Sequence, residues 1–88
     1  MNEMMLHPDE MRAAAAEFDN ARKDLSIITK RLDETTAELK SKWEGAAQQI
    51  FYKEYAALRQ EMGGIDLLIN QISIEMKAIA ERFEKADR

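Results

Sequence analysis

From Phe51 to Ala86 an apolar residue recurs at steps of four and three without a break. The run is Phe51, Tyr55, Leu58, Met62, Ile65, Ile69, Ile72, Met76, Ile79, Phe83 and Ala86. A strand would place its apolar residues at every second position, so this spacing predicts one long amphipathic helix. Its period of 3.5 predicts a shallow left-handed supercoil against another helix. Gly63 and Gly64 fall inside the run and do not disturb its phase. A loop there would lose register, so the helix is expected to continue through them, weakened by about 2 kcal/mol relative to two alanines.

A second stripe precedes it. Met11, Phe18, Leu25, Leu32 and Leu39 repeat every seven residues, with Ala14, Ala21, Ile28 and Thr35 three positions further on. Pro8 suits the first helical position, where its missing N–H costs nothing. Asp9 and Glu10 place negative charge at the positive helix end. With His7 as N-cap, Leu6 and Met11 would form a hydrophobic staple. Lys40 and Lys42 close the segment with positive charge.

Little remains to connect the two stripes, so the helices are expected to be antiparallel neighbours. The expected architecture is all-α. Residues 1–88 form a single helical-hairpin domain, with helix one over about 8–42, a turn at about 43–46 and helix two over about 46–87. At 1.5 Å per residue the helices would be about 52 and 63 Å long. Counted outward from the turn, Met11 falls opposite about Lys77. The segment "FEKADR" is therefore expected to project without a partner on helix one.

Such a hairpin is a poor monomer. A chain of 88 residues buries a modest fraction of its surface. It has no cysteine for a disulfide or thiolate site, and its one histidine, His7, makes no zinc site. Ile27, Ile50, Leu68 and Ile74 also remain off the heptad seam. Pairing two hairpins into a four-helix bundle would cover such surface. Phe18, Leu25, Ile28, Leu32, Leu39, Phe51, Tyr55, Leu58, Met62, Ile65, Ile69, Ile72, Met76 and Ile79 are the expected hairpin and dimer packing residues.

Several function classes find no support. The net charge is −4 and no basic run is present, so no nucleic-acid partner is expected. No stretch of about 18 apolar residues exists to span a membrane. Both helices mix their charges, without the basic polar face of surface-seeking helices, so membrane insertion is not expected. The opening "MNEMMLHPDE" does not read as a general secretory signal peptide. Ser26, Ser41 and Ser73 have no histidine at a plausible distance. No paired Glu-x-x-His motif is present, and "GGI" lacks the spacing and lysine of a phosphate loop. The chain is expected to have no catalytic residue, no metal, no cofactor and no small-molecule ligand.

Between the stripes lies "KSKWEGAAQQIF", which holds the sole tryptophan, Trp43, and Gly45. A glycine suits an abrupt helix end because it adopts positive φ without a Cβ penalty. Trp43 can lean over the end of the seam or stand partly exposed at the tip. Trp43, Glu44 and Gly45, centred between two heptad helices, resemble the WXG motif of the small, roughly hundred-residue substrates of type VII (ESX-type) secretion. The likeness covers the whole chain, from "HPDEM" through the aromatic-rich "AAQQIFYKEY". It implies a non-enzymatic helical hairpin that pairs with itself or with a related hairpin protein. Such a protein is cytoplasmic before export and leaves folded, as a dimer, by a route that needs no signal peptide and uses a dedicated secretion ATPase. It ends secreted or at the cell surface. A heterodimeric partner or targeting chaperone for a larger type VII toxin is the alternative the likeness leaves open.

The resemblance also implies a C-terminal signal of tyrosine, three residues and an acid. "FEKAD" offers Phe83 and Asp87 at that spacing, with phenylalanine in place of tyrosine. Residues i and i+4 share one helix face. In an antiparallel dimer, Trp43 and Gly45 of one chain would lie beside Phe83 and Asp87 of the other.

Overall fold

The computed structural model describes residues 7–86. Two helices make up the fold, α1 (Pro8–Lys40) and α2 (Ala46–Ala86). They pack side by side as an antiparallel hairpin with extents of 65 × 19 × 16 Å. α2 runs unbroken through Gly63 and Gly64, as the phase of its apolar residues predicts. α1 starts after His7, whose backbone N–H donates to Glu10 Oε1 at 3.3 Å. Leu6, the other half of the expected staple, lies outside the described residues.

α1 stops at Lys40, two residues short of the expected Lys42. Ser41 explains the early end. Its hydroxyl donates to the Glu38 carbonyl at 2.6 Å, and its N–H is shared between the Ala37 and Glu38 carbonyls. A side chain thus satisfies a carbonyl that a further helical turn would have used.

The contact between the helices is narrow. Among the described residues only Ala15, Met62, Ser73 and Ala80 are buried. Three of these are small, so the backbones approach closely there. Around them the seam is polar: Thr36 meets Tyr52, Asp33 meets Tyr55 and Arg59, and Arg22 meets Asp66 and Asn70. Further along, Asp19 meets Ser73 and Lys77, and Arg12 meets Glu84.

The heptad stripes are therefore not the line along which the two helices touch. In α2 Tyr55, Met62, Ile69, Met76 and Phe83 turn toward α1 and are buried or half-buried. The other half of that stripe is not covered: Leu58, Ile65 and Ile72 are 43%, 49% and 43% exposed. In α1 Phe18, Leu25 and Leu32 are half-buried, whereas Ile28 and Leu39 are exposed. Both stripes are rotated off the seam in the same sense. Because the helices run antiparallel, that rotation brings both onto one face of the hairpin. In a four-helix bundle each stripe points at the bundle axis, and each neighbour is met at its flank. The hairpin has the form of half a bundle.

Candidate functional site

The turn is built by one backbone requirement and a cluster of rings. Gly45 has φ +125°, a conformation that side-chain-bearing residues rarely adopt. Its carbonyl accepts from the Gln48 N–H at 3.2 Å, the first bond of α2. Trp43 is half-buried, its ring centroid 5.5 Å from that of Phe51. Phe51 meets Tyr52 edge-on at 5.2 Å and stacks with Tyr55 at 6.3 Å. Lys40 places its Nζ 5.8 Å from the Tyr52 ring centroid, and the Tyr52 hydroxyl donates to the Thr36 carbonyl at 3.1 Å. Trp43 thus leans onto the first turns of α2, while Glu44 stands in solvent.

The tail departs from expectation. Glu84 belongs to the segment expected to project without a helix-one partner, yet Arg12 grips it through two hydrogen bonds of 3.2 and 2.9 Å. The reason is the lean of helical side chains toward their own N-terminus. In an antiparallel pair the long arms of Arg12 and Glu84 therefore reach toward one another along the axis. Counting Cα levels misses that reach. Phe83 is half-buried beside this pair. Asp87, the acid of the "FEKAD" spacing, lies outside the described residues. Within one chain Trp43 and Gly45 stand at one end of the rod and Phe83 at the other.

Between the ends runs the ladder of ion pairs, which a search for apolar periodicity does not register. Its signal is the recurrence of Arg12, Asp19, Arg22 and Asp33 along the edge of the α1 stripe. Hydrogen bonds from Lys77 and Ser73 hold the Asp19 carboxyl below the ordinary carboxylate range. Tyr55 and Arg59 do the same for Asp33, and Arg22 for Asp66. Desolvation, then the Asp33 hydrogen bond, pushes the Tyr55 hydroxyl up. All these groups are spent on one another. Among the described residues no cluster of His, Cys, Asp or Glu could hold a metal ion. No helix among the described residues is long and apolar enough to cross a membrane.

What the ladder leaves over is the opposite, open face. Ile28, Leu39, Leu58, Ile65 and Ile72 stand exposed on it, with the half-buried Phe51 and Ile79 at the same heptad position. Soluble monomeric proteins rarely expose a row of large aliphatic side chains of this length. It runs from the aromatic turn to the tail.

Known proteins share this form. The family model described as proteins of 100 residues with WXG matches residues 3–88. The protein YukE of Bacillus subtilis (strain 168) is 26% identical over 81 residues, which is 92% of this chain and 84% of that protein. The crystal structure of the secreted protein EsxB from Bacillus anthracis str. Sterne superposes with a TM-score of 0.88 at 30% identity, covering 94% of this chain and 89% of that one. EsxA of Geobacillus thermodenitrificans superposes with a TM-score of 0.85 at 26% identity, covering 96% and 91% of the two chains.

Proposed function

The chain belongs to the WXG family of hundred-residue proteins, and from that premise we propose that it is a non-enzymatic protein exported folded, as a dimer, by a Gram-positive type VII (ESX-like) secretion system. The observation that carries the dimer is the open face. Leu58, Ile65 and Ile72 continue the stripe of Met62 and Ile69, and only a second hairpin laid on that face would bury both halves of it. The likeness to a protein described as secreted supports the export step.

In this reading the turn and the tail act together. An antiparallel pair of hairpins sets Trp43 and Gly45 of one chain beside Phe83 and Asp87 of its partner. Arg12 and Glu84 then hold the tail helix straight up to Phe83, so the ring is presented from a fixed backbone. The secretion ATPase is the partner that reads this composite surface.

The same face would accept a related hairpin, and one feature favours that second reading. Phe83 stands where the family signal has tyrosine, so the chain lacks the signal hydroxyl and could borrow it from a partner within a larger toxin. Export is the test. In a Gram-positive host with an active type VII system, the protein should appear in the medium when expressed alone. Deleting the ATPase should keep it in the cells, as should Trp43→Ala in a variant that remains a folded dimer. Export of Trp43→Ala at the wild-type level would overturn the composite surface. Export only when a toxin partner is supplied would move the chain to the second reading.

A further inference from the structure

The ladder along the seam lacks a rung near its middle. Its rungs on α1 are Arg12, Asp19, Arg22, Asp33 and Thr36. From Arg22 to Asp33, about 17 Å of helix, no side-chain hydrogen bond or ion pair crosses the seam among the described residues. The residues that meet there are too short to reach across: Ser26 and Thr29 on α1, Gly63 on α2. A groove of about 750 Å³ opens in this gap. The buried Met62 and half-buried Leu25 give it an apolar lining. A Cβ built on Gly63 would meet nothing within 4 Å, so the space above that backbone is open.

The groove lies on the rear of the hairpin, away from the open face. Asp19, Lys23, Ser26, Lys30 and Asp33 step by four and three along α1. Gly63, Leu67, Asn70, Ile74 and Lys77 do the same along α2. Each set therefore shares one helix face. Lys23, Ser26, Gly63 and Lys77 all line the groove, which puts both sets on its side of the rod. Leu67 and Ile74 stand two residues beyond Ile65 and Ile72, a turn of about 200° round the helix axis. A second hairpin on the open face leaves the rear uncovered.

The two shoulders of the groove differ in character. On α2, Leu67 is 64% exposed and Ile74 is 55% exposed. On α1, Lys23 and Lys30 are exposed and make no ion pair among the described residues. The acids that border the groove side, Asp19, Asp33 and Asp66, are each already bonded to a cation, Lys77, Arg59 and Arg22. The chain carries a net charge of −4, yet its rear keeps two spare cations beside two exposed aliphatic side chains. Arg22 is opposite Asp66, so Lys23 stands less than one helical turn from the level of Leu67.

We propose that this rear groove seats a helix of another protein, an acidic amphipathic helix whose apolar line lies along Leu67 and Ile74 and whose carboxylates meet Lys23 and Lys30. These two lysines are one heptad apart, so the matching acids recur at that spacing on the incoming helix. An apolar side chain between them enters the missing rung above Gly63, where the flexible Met62 adapts to its shape. The contact is a helix laid in a groove, with apolar anchors for affinity and opposite charge for orientation. A second copy of this chain is a poorer occupant. Its own unpaired acids Glu61 and Glu75 flank the open face, which pairing covers.

Fluorescence anisotropy tests the proposal, with a labelled peptide of about three heptads that carries leucine on its apolar line and glutamate beside it. Titrated with the full chain, it should bind saturably. Lys23→Glu with Lys30→Glu should weaken binding by about tenfold or more. Gly63→Leu, which fills the groove without changing charge, should weaken it as well. Lys42→Glu with Lys85→Glu changes net charge equally at the two ends of the rod and should leave binding intact. A peptide with lysine in place of each glutamate should not bind. The rear groove is overturned if the glutamate peptide fails to bind, if the groove variants bind like wild type, if the end-of-rod variant loses binding equally, or if the lysine peptide binds as well. It is also overturned if the groove variants lose binding to phosphatidylserine vesicles and keep the peptide, because the surface then reads lipid. Light scattering on the same samples should give one mass for wild type and groove variants. A lower mass in the variants would assign these residues to self-association and overturn the proposal. Peptide binding to a wild-type monomer would support the groove and contradict only the dimer of the preceding section.

Discussion

At Gly45 the turn depends on a single backbone angle. With φ at +125°, a side chain there is strained whatever the surrounding space. Gly45→Ala should therefore destabilise the protein by about 1–3 kcal/mol, read from the midpoint of urea unfolding followed by circular dichroism. An unchanged midpoint would mean that the turn relaxes freely. The carboxylates of the ladder make a different prediction. Asp19, Asp33 and Asp66 are held below the ordinary carboxylate range when folded. Unfolded, they titrate near 3.9. A depressed folded value stabilises the fold above the unfolded one and loses that contribution as pH falls through the folded value. The melting temperature should thus hold from pH 7 to about 5 and fall below about 4. These side chains are one-third to nearly one-half exposed, so the effect should be modest and weaker in high salt. Asp33→Asn should flatten the acid limb, and an acid limb identical to wild type would show that the ladder is not its origin.

Single helices were largely legible from the order of residues. The four-and-three spacing of α2 marks its type, and the unbroken phase from Met62 to Ile65 marks its continuity across two glycines. The positive φ at Gly45 follows from the need to end one helix and start another within five residues. What the spacing does not reveal is which neighbour each part of a stripe meets. A heptad stripe marks the direction of the bundle axis. The contact between the two helices of one chain lies to its side, on Ala15, Ser73 and Ala80, which are too small or too polar to mark a core. The tail differs from expectation for a related reason, because spacing along the chain carries no information on how far Arg12 and Glu84 lean. At the scale of α2 the glycine pair gives a clear test. A Cβ at Gly63 meets nothing within 4 Å, so Gly63→Ala should stabilise the protein by about 0.8–1 kcal/mol. A loss of stability on urea unfolding would reveal a close neighbour that the hairpin alone does not have.

The whole molecule is a rod with too little interior. Its radius of gyration is 19.8 Å, against about 12 Å for a compact domain of this length. Large aliphatic side chains lie along one face, and the only buried apolar residues among those described are Ala15, Met62 and Ala80. In the proposed dimer, stability at this scale comes from a second hairpin on the open face. Leu58→Glu with Ile65→Glu places two charges in that interface, and leaving them unpaired there is costly. The variant should lose both its dimer and its cooperative melt. The most direct measurement is the solution mass of the purified protein by light scattering through a dilution series at physiological salt. The open-face account predicts a mass near twice 10.2 kDa that persists on dilution, and a monomeric mass in the Leu58→Glu, Ile65→Glu variant. A wild-type protein that is monomeric throughout the series and still melts cooperatively would contradict it.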